Sequence, residues 1–227
     1  MTCVSTRSTV TALRAVLTLL SAVAAFALLV SAAQADCPTS ETAARKGFTM
    51  KTDQNLVWDV TGYDGDVTNI VETIPSNSGG PDTVTRYASY RGLVTILSVR
   101  PDFTMATTFE PSLQSVFPLT VGKWATFKTV RRFEAKPDVI ARLKQKPEVA
   151  GTVEIGVVRN ETARIGGCSY EAFLVDRDMR FDGEPRLLIR QYYLPDLRVT
   201  PILSFARVNP GKEPTGSKLH FTSIASK

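Results

Sequence analysis

The sequence predicts a mainly β fold: a curved antiparallel sheet, in the form of a half-barrel or sandwich, with one short helix. Three observations predict it. Short runs rich in Val, Ile, Thr and aromatics recur along the chain, each ended by Gly, Pro, Asn or Asp at fairly regular spacing. Within several runs apolar and polar residues alternate with the period of two that belongs to a strand. Asp64-Gly65 and Asp182-Gly183 fall between such runs, and an Asp-Gly pair there marks a hairpin because glycine accepts a positive φ at no steric cost.

Residues 1–35 precede the β pattern and read as a cleavable signal peptide. Arg7 and Arg14 are the only charges before Asp36, no charge lies between Ala15 and Ala33, and Ala33-Gln34-Ala35 places small residues at a cleavage site. Asp36 directly before Cys37 fits poorly with lipidation. The expectation is therefore a single β-rich domain over residues 36–227 in the periplasm or exterior, with no stable membrane span after cleavage.

The elements follow in order. Leu56–Val60 is a strand, Tyr63-Asp64-Gly65-Asp66 a turn, and Val67–Glu72 a second strand. Ser76–Asp82 is a loop. Thr83–Tyr87 and Leu93–Val99 are β-branched runs separated at Arg91-Gly92. Residues 101–118 carry Phe103, Met105, Phe109 and Phe117, which fits a strand and a covering loop. Gly122–Val130 is a strand that places Trp124 and Val130 on one face. Residues 137–146 form the helix candidate: Pro137 suits a first turn, Asp138 lies early, bases lie late, and Val139, Ile140 and Leu143 make an apolar stripe. Thr152–Val158, Tyr170–Phe181, Leu187–Tyr193, Val199–Val208 and Lys218–Ala225 form a meander. In the long run Tyr170–Phe181, Phe173, Val175, Met179 and Phe181 share a face.

Removal of the signal takes Cys3 with it and leaves Cys37 and Cys168. An even count in an oxidising compartment predicts a disulfide between them. Without a Cys-x-x-Cys motif, a catalytic redox pair is not expected. The formal charge of +5 falls to +3 when Arg7 and Arg14 are subtracted, too mild for a nucleic-acid partner.

Residues for catalysis are scarce. His220 is the only histidine, and no Gly-x-Ser-x-Gly elbow accompanies it. One histidine with two bonded cysteines does not make a zinc site. Asp64 and Asp66 lack the rest of a calcium loop and read as hairpin residues. Glu171, Asp176, Asp178 and Asp182 have basic neighbours and read as cross-strand ion pairs. Neither a catalytic residue, a metal nor a cofactor is assigned. Trp124, Phe127, Phe173, Tyr192 and Tyr193 are candidates for a pocket lining or for the core, and Tyr192 and Tyr193 must face opposite sides of their strand.

Three segments carry a resemblance. Phe117-Pro118-Leu119-Thr120-Val121-Gly122-Lys123-Trp124, Ile165–Phe173 and Tyr192-Tyr193-Leu194-Pro195-Asp196-Leu197-Arg198 resemble, in order and approximate spacing, segments of exported proteobacterial β-rich proteins of unknown function. The resemblance spans residues 117–208 and implies a curved antiparallel sheet. It departs at Arg198, where a turn glycine is usual, and at the insertion 134–148. It transfers no functional residue.

The expected function is that of a non-enzymatic exported domain that binds an apolar ligand or a protein partner, since a curved sheet with an apolar concave face can hold an acyl chain. Two further readings stand beside it: a structural or interaction module of the cell envelope, and a hydrolase built on two carboxylates about 5–10 Å apart.

Overall fold

The computed structural model describes residues 36–76, 78–143 and 146–227. The signal segment 1–35 and the end of the helix candidate at 144–145 lie outside the described residues. Thirteen strands follow one another: β1 (Phe48–Thr52), β2 (Val57–Asp64), β3 (Val67–Ile74), β4 (Thr83–Tyr90), β5 (Val94–Val99), β6 (Phe103–Glu110), β7 (Trp124–Ala135), β8 (Glu148–Ile165), β9 (Cys168–Phe181), β10 (Arg186–Tyr193), β11 (Ile202–Val208), β12 (Thr215–Lys218) and β13 (Phe221–Ser226). They form one antiparallel sheet in which every strand from β1 to β12 pairs with its sequence neighbour, and β13 pairs with β1.

This order makes β12 and β13 the two edges of the sheet, although only Leu219 and His220 separate them in sequence. Three Cα-to-Cα steps reach at most about 11 Å. The edges therefore converge, and the sheet curls until it is nearly, but not fully, closed. Backbone bonds hold the crossing: Leu219 N–H donates to Leu203 O (2.9 Å) on one side, and Asp53 N–H donates to His220 O (2.9 Å) on the other. The expected run Lys218–Ala225 is in this way two strands, split where the chain changes edge.

Two apolar cores fill the curl. One gathers Phe48, Met50, Trp58 and Val60 with the β8–β9 tip, Leu194, Leu197 and Phe221. The other gathers Leu93, Phe127, Val153, Ile155, Val175 and Phe181. From Phe173 to Phe181, strand β9 presents its odd-numbered residues to the second core with the period of two that a strand has, whereas at its start Cys168 and Ala172 enter the first core. Even-numbered Asp176, Asp178 and Arg180 face outward and form charged rungs. Arg190 binds Asp176 through two bonds of 2.7 Å, and Asp178 accepts from Arg186 (2.9 and 2.7 Å) and from Arg180 (2.6 Å).

Among the described residues, two short α-helices accompany the sheet, one more than the sequence predicts. Helix α1 (Ser40–Lys46) escapes a periodicity reading because it is short and buries only Ala43. Its start is specified by a capping box, in which Thr42 N–H donates to Thr39 Oγ1 (3.2 Å) and Thr39 N–H donates to Thr42 Oγ1 (2.8 Å). Helix α2 (Pro137–Leu143) is the predicted one, but of its apolar stripe only Val139 is buried. Among the described residues, no helix is long and apolar enough to cross a membrane.

Cys37 and Cys168 stand at bonding distance, with Cα atoms 5.7 Å apart. The pair ties the segment before α1 to the β8–β9 turn across a separation of 131 residues. Replacing both cysteines by serine is expected to lower unfolding free energy by about 4–5 kcal/mol on the chain-entropy scale, read from urea denaturation. Asp178 supplies a second test. Burial raises its carboxyl, but hydrogen bonds from Arg186 and Arg180 outweigh burial and hold it below the usual range. A depressed carboxyl contributes stability that is complete above about pH 4 and is lost as pH falls through the folded value. Asp178→Asn should cost about 1–2 kcal/mol at pH 7 and flatten the acid limb of the stability profile.

Candidate functional site

Two turns meet back to back inside the mouth of the curled sheet. The first, Arg91-Gly92-Leu93, joins β4 to β5. The second, Pro195–Arg198, follows β10. Gly92 has φ +68°, and a Cβ there would stand 1.6 Å from Arg198 O, so only glycine permits the approach. Side chains from three places clamp the joint. Thr200 Oγ1 donates to Gly92 O (2.7 Å), Thr68 Oγ1 donates to Arg198 O (3.0 Å), and Tyr63 OH donates to Leu197 O (2.8 Å).

Both turns carry an arginine in the left-handed backbone region: Arg91 and Arg198 each have φ +46°. That conformation disfavours a residue with a Cβ by roughly 1–2 kcal/mol, which the surrounding clamp must offset. Arg91 is satisfied. Its Nε donates to Asp66 Oδ1 (2.9 Å), and its guanidinium lies 4.8 Å from the Phe117 ring centre. The Arg91 bond holds the Asp66 carboxyl below its ordinary value. Arg198 is not satisfied. Its guanidinium lies 5.3 Å from the Tyr63 ring centre, and its Nη2 is buried with no hydrogen-bond partner. Burial pushes the Tyr63 hydroxyl up to about 12 and raises that of Tyr193, so both remain neutral donors at physiological pH.

An open pocket of about 650 Å³ lies over these turns. Its wall is largely apolar: Phe117, Pro118 and Leu119 come from the loop before β7, Phe173 from β9, and Tyr193 from β10. Arg91 and Arg198, with Asp66 and Gln114, form the polar end. The segments 117–124, 165–173 and 192–198, singled out in the sequence, each contribute to this one wall. A largely apolar concavity with a few convergent polar groups is the form that small-molecule sites take.

The predicted residues distribute as follows. Phe173 and Tyr193 line the pocket, whereas the other three candidate aromatics do not join them. Phe127 is fully buried in the core. Tyr192 faces the opposite side from Tyr193, as alternation requires, and is half-buried beside Glu161. Trp124 is 58% exposed on the outer face, its indole lying flat on Gly156, where a Cβ would sit 2.3 Å from the ring. Of the five candidates for a pocket lining or for the core, two thus line the pocket and Phe127 fills the core, while Trp124 faces outward and Tyr192 the side opposite Tyr193.

Asp176 and Asp178 occupy the cross-strand ion pairs described above, and Glu171 and Asp182 are exposed. Asp64 ends β2, and Asp66 serves the hairpin and Arg91. His220 is exposed in the edge-to-edge link rather than within a strand. Among the described residues, no group of three or more His, Cys, Asp or Glu side chains is gathered for a metal.

No family model matches this chain, and no curated protein matches it. Among solved structures, the crystal structure of the hypothetical lipoprotein YmcC from Escherichia coli (K12) is similar over 97% of this chain and 98% of that one, with a TM-score of 0.47 and 9% identity.

The turn-to-turn contact yields a direct test. Gly92→Ala places a methyl group against Arg198 O in a left-handed backbone, and is expected to destabilise the protein by about 3–5 kcal/mol in chemical denaturation. Gly183→Ala is the control: its φ is also positive, at +80°, but nothing lies within 4 Å of its Cβ position, so it should cost only about 1 kcal/mol.

Proposed function

We propose that this chain is an exported, non-enzymatic binding domain whose open pocket takes an amphipathic ligand with an anionic head. The single observation that carries the reading is Arg198. A turn position suited to glycine instead holds an arginine at φ +46°, with a buried Nη2 left without a partner at the end of an apolar wall. A strained cation with spare donor capacity is what an anionic head requires. Phe117, Leu119 and Phe173 offer the tail its apolar contact. The pocket volume of about 650 Å³ suits a small amphiphile. Export rests on the N-terminal signal pattern, and the Cys37–Cys168 pairing is consistent with an oxidising compartment.

The interaction-module reading comes second. Its support is the edge strand β12, whose four residues are all exposed and which pairs with a strand on one side only. The carboxylate-hydrolase reading finds less support, because Asp176 and Asp178 are each engaged by arginine.

Decanoate and decanol, an anionic and a neutral amphiphile of equal chain length, are the probes. Titration calorimetry on the wild type should give decanoate at least a roughly tenfold lower Kd than decanol. Arg198→Gly should erase that difference while leaving thermal stability close to wild type, since glycine is at ease at that φ. Equal affinity for the two probes in the wild type, or undiminished decanoate binding in R198G, would sink the reading.

A further inference from the structure

Beside the Arg91-Gly92-Leu93 turn lies a partly enclosed cavity of about 140 Å³ between β2–β5 and β9–β11. Its most unusual member is Arg177. It follows the inward phase of β9 between Val175 and Met179, and only 9% of it is exposed. Its Nη1 reaches Leu93 O at a long 3.5 Å, and its Nε has no partner. Among the described residues, no carboxylate lies within 4.0 Å of it. Burial lowers the guanidinium to about 10, so it remains a cation at neutral pH. A buried charge with no counter-charge in contact is strongly unfavourable.

Gln191 stands beside it. The register pairs Arg177 with Ile189 and Gln191 with Val175, so the two long side chains are diagonal neighbours on the inner face of β9 and β10. Gln191 is 1% exposed. Its Nε2 donates to Leu93 O (3.4 Å), and its Oε1 has no partner. Glu72 lines the same cavity, but its two oxygens already accept from Trp58 Nε1 (2.8 Å) and Tyr87 OH (2.9 Å). The cavity therefore offers one unused cationic donor and one unused neutral acceptor, both on the β9–β10 wall.

We infer that this cavity is a binding site for a small carboxylate that carries its own adjacent hydrogen-bond donor, of the size of glycolate. The carboxylate receives Arg177 Nε, and the ligand's hydroxyl donates to Gln191 Oε1. The cavity volume holds several water-sized groups and therefore a ligand of a few heavy atoms, but no acyl chain. Half-exposed Tyr87, Thr95 and Ile202 line the cavity where it approaches the surface, between β4–β5 and β11. This site is independent of the amphiphile pocket, and either can fail without the other.

The test is thermal unfolding of the purified protein in millimolar sodium glycolate, sodium acetate and sodium chloride at equal ionic strength. Glycolate should raise the midpoint by roughly 3–8 °C over chloride when it is well above its Kd. Acetate, which lacks the donor, should need about a tenfold higher concentration for the same shift. Arg177→Met keeps the volume and removes the charge, so it should fold at least as stably as the wild type and lose the glycolate response. No midpoint shift with either carboxylate would mean that the cavity holds water alone and would overturn the proposal. An equal response to acetate and glycolate would also overturn it, and that comparison needs only the wild type should R177M fail to fold. A glycolate shift undiminished in folded R177M would place the site elsewhere and defeat the assignment to Arg177.

Discussion

The link Leu219-His220 is the constraint on which the rest of the molecule depends. A meander of this length, left open, would be a broad twisted sheet with two distant edges and two faces to cover. Here the edges are only two residues apart along the chain, so the sheet must curl, and one face becomes an interior. The interior residues of β7 to β10 then need partners from β1 to β5, and the two apolar cores supply them. The Cys37–Cys168 link and the packing of the β8–β9 tip on β13, where a Cβ on Gly166 would stand 2.6 Å from Ser223 Cα, fasten the same seam from another direction.

Curling also brings turns together that a flat sheet would hold apart. Gly92 and Arg198 are distant in sequence, yet their backbones touch so closely that no side chain fits between them. Three hydroxyls then close the joint, from Tyr63, Thr68 and Thr200. A contact made from backbone and short side chains is stiff, and this stiffness allows two arginines to be held in a backbone region they would otherwise avoid.

Much of the fold was legible in the sequence because a strand announces itself by period two and a hairpin by its turn residues. Leu93–Val99, Tyr170–Phe181 and the Asp182-Gly183 turn were readable on those grounds. Helix α1 was not, since a seven-residue helix with one buried alanine has no periodicity to detect. The split of 218–225 was hidden too, because a change of sheet edge leaves no local mark. The candidate sites were half visible. Arg198 stood out as an arginine where a glycine was usual, but its meaning lay in Gly92, which only the fold brings near. Arg177 carried a plainer signal. Phe173, Val175, Met179 and Phe181 define the inward phase, and residue 177 falls on that phase with a charge. Reading the acids of β9 with their basic neighbours as cross-strand ion pairs missed it, because outward Asp176, Asp178 and Arg180 flank it on both sides.

The molecule holds several of its arginines in three different electrostatic conditions, and the contrast sets apart the two on which the proposed sites rest. On the outer face, Arg180, Arg186 and Arg190 are half-exposed and already paired with Asp176 or Asp178, so water and the partner together satisfy them. At the mouth, Arg91 is paired with Asp66, while Arg198 keeps a buried nitrogen free at the end of an apolar wall. In the interior, Arg177 forms no ion pair, and its Nε has no hydrogen-bond partner. Attraction for an incoming anion grows along this series, because each step removes a competing partner or lowers the local dielectric. The Arg91-Gly92-Leu93 turn separates the last two conditions. Arg91 borders the open pocket, and one residue past Gly92, Leu93 O receives both Arg177 and Gln191 from the enclosed side. The joint that the curl creates is therefore also the partition between two chemically distinct cavities, and its rigidity keeps the proposed amphiphile site apart from the proposed site for a small acid.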